Sequence, residues 1–272
     1  MGNGFVLILS LAVLTGCTLS SVAPDQPLSQ SEIADLVEKQ APAPAGVPYA
    51  TINRNRPFFT REEIGYARRH AFERYSRLDH LARCGTASAR IGHEVMPTGR
   101  RGAIGMVRPS GWQVARYDHV EGRYLYNRCH LIGYQLAGEN ANPLNLITCT
   151  RYMNTKGMLP FENRVADYVR ETGNHVLYRV TPVFRESDLV ARGALMEAWS
   201  LEDEGKVHFN VFTYNIQPGV AINYADGSSH AAGDAASDDA EAIRKSIERH
   251  RRKAARKKYQ DKMMPADWRG HQ

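Results

Sequence analysis

Tyr124-Leu125-Tyr126-Asn127-Arg128-Cys129-His130-Leu131 reads as a β-strand that continues into Ile132-Gly133-Tyr134. Side chains alternate across a strand, so Arg128 and His130 project to one face while Cys129 points to the other. Working back, residues 113–119 have the same character, and Val120-Glu121-Gly122 between the two pieces predicts a hairpin turn. Further back, Thr60 with Glu62 and Glu63 forms a helix start, and the helix is expected to end near Tyr75. Working forward, residues 144–147 form a short apolar piece. Gly157 and Pro160 then fall where one helix would stop and a second begin. In the second helix Phe161, Val165, Tyr168 and Val169 recur at helical spacing, Glu162 lies on another face, and Gly173 closes the segment. Three more strands are predicted at residues 175–184, 189–199 and 207–216. The expected fold is α+β with a central antiparallel sheet.

His130 is the natural general base of this set, because imidazole exchanges protons near neutral pH, and a strand gives it a rigid mount. Arg128 on the same face is expected to grip a phosphate bidentately. Asn142-Pro143-Leu144-Asn145 and Asn154 supply amide oxygens, hard ligands suited to hydrated Mg²⁺ or Mn²⁺, and Glu162 adds a carboxylate for a metal-bound water or for orienting a partner. Singly, each residue has a plainer account: Asn caps turns, His packs with one hydrogen bond, and a helical Glu is solvated.

The chain has 272 residues, 43% hydrophobic and 24% charged, enough for one sizeable domain with tails. Its net +6 is concentrated in residues 244–262, where ten Lys or Arg face only Glu248 and Asp261; that local +8 leaves −2 elsewhere. Basicity therefore says little about the main domain. The first 24 residues carry no charged side chain, and the apolar run 5–14 is too short to span a bilayer. It leads into Leu14-Thr15-Gly16-Cys17, which resembles a bacterial lipobox, so the expectation is export with a lipid anchor at Cys17. The expected organisation is a signal at 1–17, a Ser/Pro/Ala-rich tether at 18–48, a domain at 49–225, and a disordered linker with a basic helical tail at 226–272. Cys84, Cys129 and Cys149 remain, an odd number that permits one internal bridge at most, with spacings of 45 and 20 that lack zinc-knuckle form.

Asn127-Arg128-Cys129-His130-Leu131 is similar to the Asp-Arg-Gly-His-Leu signature of the DNA/RNA non-specific endonucleases of the ββα-metal type, in the DNA-entry and streptococcal secreted branch. The resemblance continues through Asn142-Pro143-Leu144-Asn145-Leu146, Thr150-Arg151-Tyr152-Met153-Asn154, Phe161-Glu162-Asn163-Arg164-Val165 and Tyr178-Arg179-Val180-Thr181. It ends with Phe209-Asn210-Val211 and Asn215-Ile216-Gln217-Pro218-Gly219, and so covers residues 49–224. It implies a ββα-metal core with flanking helices, His130 as base, Asn154 as the direct Mg²⁺ ligand, Glu162 as the essential glutamate, Asn145 near the phosphate and Arg128 as the signature arginine. It also implies cleavage of DNA and RNA through phosphate contacts, leaving 5′-phosphates. Two positions depart from the signature, Asn127 in place of Asp and Cys129 in place of Gly. Cys129 is read as core or as half of a disulfide with Cys84 or Cys149. The rival readings are a Cys-His hydrolase and a catalytically weakened envelope lipoprotein that only binds nucleic acid.

Overall fold

A computed structural model describes residues 26–42, 44 and 46–232. The apolar run, Cys17 and the basic tail lie outside the described residues. The elements run α1 (Gln30–Gln40), β1 (Tyr49–Thr51), α2 (Arg61–Arg69), β2 (Glu73–Tyr75), β3 (Ala87–Ile91), β4 (Tyr126–His130), α3 (Tyr134–Ala137) and β5 (Leu146–Thr150). Then come α4 (Leu159–Thr172), β6 (Val176–Val183), β7 (Gly193–Ser200), β8 (His208–Tyr214), β9 (Val220–Ile222) and β10 (Ser229–Ala231). Six strands make one antiparallel sheet in the order β1-β8-β7-β6-β3-β2. The fold is α+β, as the alternation of apolar strands and amphipathic helices predicts.

Burial on both sheet faces explains why β6 is buried along its whole length. Tyr178, Val180, Met196, Phe209 and Val211 pack toward Val165, Ala166 and Val169 of α4 and toward Leu131 and Ile147 of the β4–β5 ribbon. On the opposite face Ile33 and Val37 of α1 meet Val183, Leu195 and Phe212, and Ala67 of α2 meets Leu177. The functional elements thus form a layer of their own, backed by the sheet.

Several expectations change. The helix begun by Thr60 does form, with a capping box to Glu63, but it ends at Arg69 rather than near Tyr75. Residues 73–75 are drawn instead into antiparallel pairing with β3. The 113–131 hairpin is largely replaced by a longer-range pairing. The turn at residues 120–122 survives with one bridge, Arg116 to Tyr124, whereas β4 takes its ladder from β5, with Tyr126 opposite Thr150 and His130 opposite Leu146. Gly157 does not stop a helix: Met153–Met158 winds as a π-helix and passes without a break into α4, whose far end closes at Gly173 with φ +72°.

The expected tether carries α1, begun by a capping box between Ser29 and Glu32 and held by two buried aliphatic side chains one turn apart. The expected linker is also ordered in its first part, since β10 pairs with β9. Gly227 (φ +81°) turns that chain so close to Gly111 that an added Cβ would lie 2.0 Å from the Gly111 oxygen, and its own carbonyl accepts from Tyr126 Oη at 2.9 Å. Residues 233–272 lie outside the described residues.

Candidate active site

The β4–β5 ribbon is the mount. His130, at its end, is almost wholly buried, and its Nε2 lies 2.7 Å from the Asn140 carbonyl oxygen. A carbonyl can only accept, so Nε2 carries the proton and Nδ1 keeps its lone pair. Nδ1 lies 3.3 Å from Arg101 Nη2 at the edge of a cavity of about 350 Å³. Burial, and next the Arg101 charge, hold the imidazole below its ordinary 6.5, while the Asn140 carbonyl opposes them. His130 is therefore neutral at pH 7, the state a base requires.

Asn154 lies on the π-helical turn that β5 feeds, an interruption of the kind that recurs at functional sites. Its Nδ2 donates to Asn127 Oδ1 at 3.0 Å, which leaves Oδ1 as the acceptor end of an amide that lines the cavity. Asn127, in the position of the signature's Asp, thus keeps the oxygen that orients Asn154 while lacking the charge. Glu162 enters from the first turn of α4 and is buried rather than solvated. Gly133 makes room for it, since a Cβ there would meet Glu162 Oε2 at 2.7 Å. Desolvation pushes the Glu162 carboxyl up to about 7, opposed by a hydrogen bond from Gln135 and by the Arg101 charge.

Two of the predicted site residues behave differently from expectation. Arg128 does share the cavity with His130, but its Nε donates to the Val107 carbonyl and its Nη2 to the Gly105 carbonyl at 2.8 Å. Its guanidinium lies 3.9 Å from the centre of the Trp112 ring. The fork expected to hold a phosphate bidentately thus fastens the overlying loop. Asn145 does not line the cavity at all: it is fully buried, its Nδ2 donates to the Ile132 carbonyl at 3.0 Å and its Oδ1 accepts from the Ile132 amide at 2.9 Å. Its local role is to lock the chain just past His130. Asn145→Ala leaves both Ile132 groups unpaired in a dry core, with an expected loss of about 2–4 kcal/mol in thermal or urea unfolding.

Arg101 was missed by sequence reasoning. It lies in the irregular stretch between β3 and β4, where no periodicity singles it out, and the only cue is the Arg100-Arg101-Gly102 triplet. Cys129 is bonded to Cys149 in a disulfide and buried, while Cys84 is free. That removes the thiolate a Cys-His hydrolase needs.

The cavity therefore gathers a neutral imidazole, an amide oxygen, a buried carboxylate and the cations of Arg101, Arg128 and Arg151. Hard oxygen donors with no third His, Cys, Asp or Glu converging among the described residues suit a divalent ion that keeps most of its water. Comparison with known proteins agrees with this chemistry. Residues 65–201 match the family model described as DNA/RNA non-specific endonuclease. Among solved structures, NucA from Streptococcus agalactiae with no metal bound superposes with a TM-score of 0.60 at 25% identity, covering 74% of this chain and 96% of that one. NucA with magnesium ion bound gives 0.60 at 26%, covering 75% and 98%. The Sda1 nuclease with bound zinc ion gives 0.52 at 27%, covering 59% and 82%. With half of its length matched to the family model and a shared fold behind the site, this chain belongs to the DNA/RNA non-specific endonuclease family and is a metal-dependent nuclease.

Proposed function

We propose that the chain hydrolyses DNA and RNA phosphodiesters without sequence preference, with His130 as general base, one divalent ion at Asn154, and 5′-phosphate products. The observation that carries this is the 2.7 Å contact between His130 Nε2 and the Asn140 carbonyl oxygen. The Asn140 carbonyl holds the proton on Nε2, which leaves Nδ1 as the acceptor of a residue that lines one cavity with Asn154 and Glu162.

Asn154 Oδ1 would hold the ion directly and Glu162 would hold one of its waters; the magnesium bound to NucA favours Mg²⁺, and Mn²⁺ suits the same oxygen donors. Bound there, such an ion supplies charge stabilisation for the phosphate and the departing 3′ oxygen. His130 Nδ1 takes the proton of a water whose oxygen attacks phosphorus, and the bond to the 3′ oxygen breaks. Arg101 now donates toward Nδ1; an entering phosphate competes for that guanidinium, which frees the base and places a cation on the developing charge. Arg151 lines the same cavity. Contacts of this kind read phosphates and not bases, which accounts for the lack of sequence preference.

The same reading extends to the rest of the chain: a signal at 1–17 with lipidation at Cys17, a short tether, a nuclease body from α1 through β10, and a basic tail that adds phosphate contacts. An internal disulfide supports the exported compartment. The test incubates the full chain with supercoiled plasmid and with structured RNA in Mg²⁺, Mn²⁺ or EDTA, and then maps the new ends. Cleavage of both polymers only with metal, leaving ends that accept label from a kinase only after phosphatase treatment, is expected. Cleavage in EDTA, or 3′-phosphate ends, would contradict it.

A further inference from the structure

The β4–β5 ribbon is a two-stranded sheet separate from the six-stranded one. Two strands alone are marginal in water, yet this pair carries His130 and Asn127 on one strand and leads into Asn154 from the other. The two strands are not equally anchored. β5 is tied to the body by Asn215, whose Oδ1 accepts from the Thr150 amide at 2.8 Å and whose Nδ2 donates to the Thr148 carbonyl at 3.1 Å. β4 takes its ladder from β5, and beyond it Ile132 is held by Asn145, which directly precedes β5. Apart from the contacts of Arg128 and His130 with the Val107, Gly105 and Asn140 carbonyls, the position of the base is therefore referred to β5, and the Cys129–Cys149 bond is the covalent part of that reference.

Register adds to the case. Asn127 is opposite Cys149, and Cys129 is opposite Ile147, so the bond crosses the ribbon diagonally beside the Asn127 that orients Asn154. A slip of one residue would turn His130 to the wrong face. Both cysteines are buried, Cys129 1% and Cys149 0% exposed. The third cysteine stays apart: the Cys84 thiol donates to the Pro143 and Leu146 carbonyls at 3.2 Å, and burial pushes it up to about 11, so it supplies no thiolate to exchange with the bridge.

We infer that the Cys129–Cys149 disulfide is a positioning element of the nuclease site, so that the chain gains full activity only on oxidation and a reduced chain keeps its fold while losing turnover. This rests on the nuclease reading above. Reduction breaks the Sγ–Sγ bond; a dithiol gives two electrons and becomes a disulfide itself, and two protons end on the Cys129 and Cys149 sulfurs. The same two thiols in a chain still inside a reducing compartment leave β4 and β5 joined to each other by hydrogen bonds and packing, with no covalent tie.

The experiment refolds the full chain with Mg²⁺ under oxidising conditions or in a dithiol, beside the double variant Cys129→Ala/Cys149→Ala. Thiols are counted by alkylation mass, the fold by far-UV dichroism, turnover on plasmid DNA, and amide exchange by mass spectrometry. Expected are a fall in kcat of about 10- to 100-fold in the reduced chain and in the variant, KM within about threefold, and recovery on reoxidation in the wild type alone. Faster exchange should be confined to residues 126–130 and 146–150. Equal turnover and equal exchange in oxidised and reduced chains would overturn the inference, as would loss of the whole fold on reduction, which would make the bond a prop of the fold instead of the site. An oxidised chain that never cleaves would refute the nuclease reading itself.

Discussion

Glu162→Gln should abolish most cleavage and yet make the metal-free protein more stable above pH 7. The Glu162 carboxyl is buried against Gly133 and held at about 7 by desolvation, against an ordinary 4.5. Between those two values the folded state keeps a proton that the unfolded chain has released. Stability of the metal-free protein therefore falls as pH rises through that window, and the full penalty stands above it. A shift of that size corresponds to about 3 kcal/mol, and a neutral amide of the same shape avoids it. Thermal unfolding in EDTA at pH 8 should place the Gln variant several degrees above wild type, and the gap should close toward pH 4.5. With Mg²⁺ the same variant should lose about 100-fold in turnover, because the charge that would hold a metal-bound water is gone. If the variant were less stable at pH 8 and equally active, Glu162 would be an ordinary packed side chain.

His130→Ala should lower turnover about 10³-fold with little change in substrate affinity, since it removes proton transfer and leaves the cations of the cavity in place. The wild-type enzyme should carry a matching pH signature. Burial and Arg101 hold the imidazole below 6.5, so activity should rise with pH through an acid limb lying below that value. Arg101→Gln removes the adjacent charge and should move the limb upward. A limb unmoved by Arg101→Gln or by the loss of His130 would assign the base elsewhere.

The parts of the site legible in the sequence are those set by local chain geometry. His130 and Arg128 share a face because they are two apart on a strand, whereas Asn154 is singled out by its amide oxygen and the family resemblance and lies on the turn that follows β5. The capping box at Thr60 and the strands β6 to β8 follow from short-range chemistry in the same way. Residues whose positions depend on distant contacts were not legible. Arg101 reaches His130 from an irregular stretch closed by its own carbonyls on Arg128. Asn145, set near the phosphate by the family resemblance, is bonded to the Ile132 backbone through contacts that no local window displays. β4 chose β5 over the nearer residues 113–119 because pairing with an apolar strand buries both against the sheet, a gain no local window displays. The helix α1 was readable in principle from Ser29 and Glu32 with Ile33 and Val37, but Pro-rich surroundings dominate the composition there.

The most direct measurement sets binding against cleavage in the full chain. Affinity for supercoiled plasmid is measured in EDTA, and the nicking rate is measured on the same plasmid in Mg²⁺, for wild type and His130→Ala side by side. The account predicts metal-dependent nicking by wild type, and a variant that binds equally well but nicks about 10³-fold more slowly. A variant that nicks at the wild-type rate, or a wild type that binds and never nicks, would contradict it.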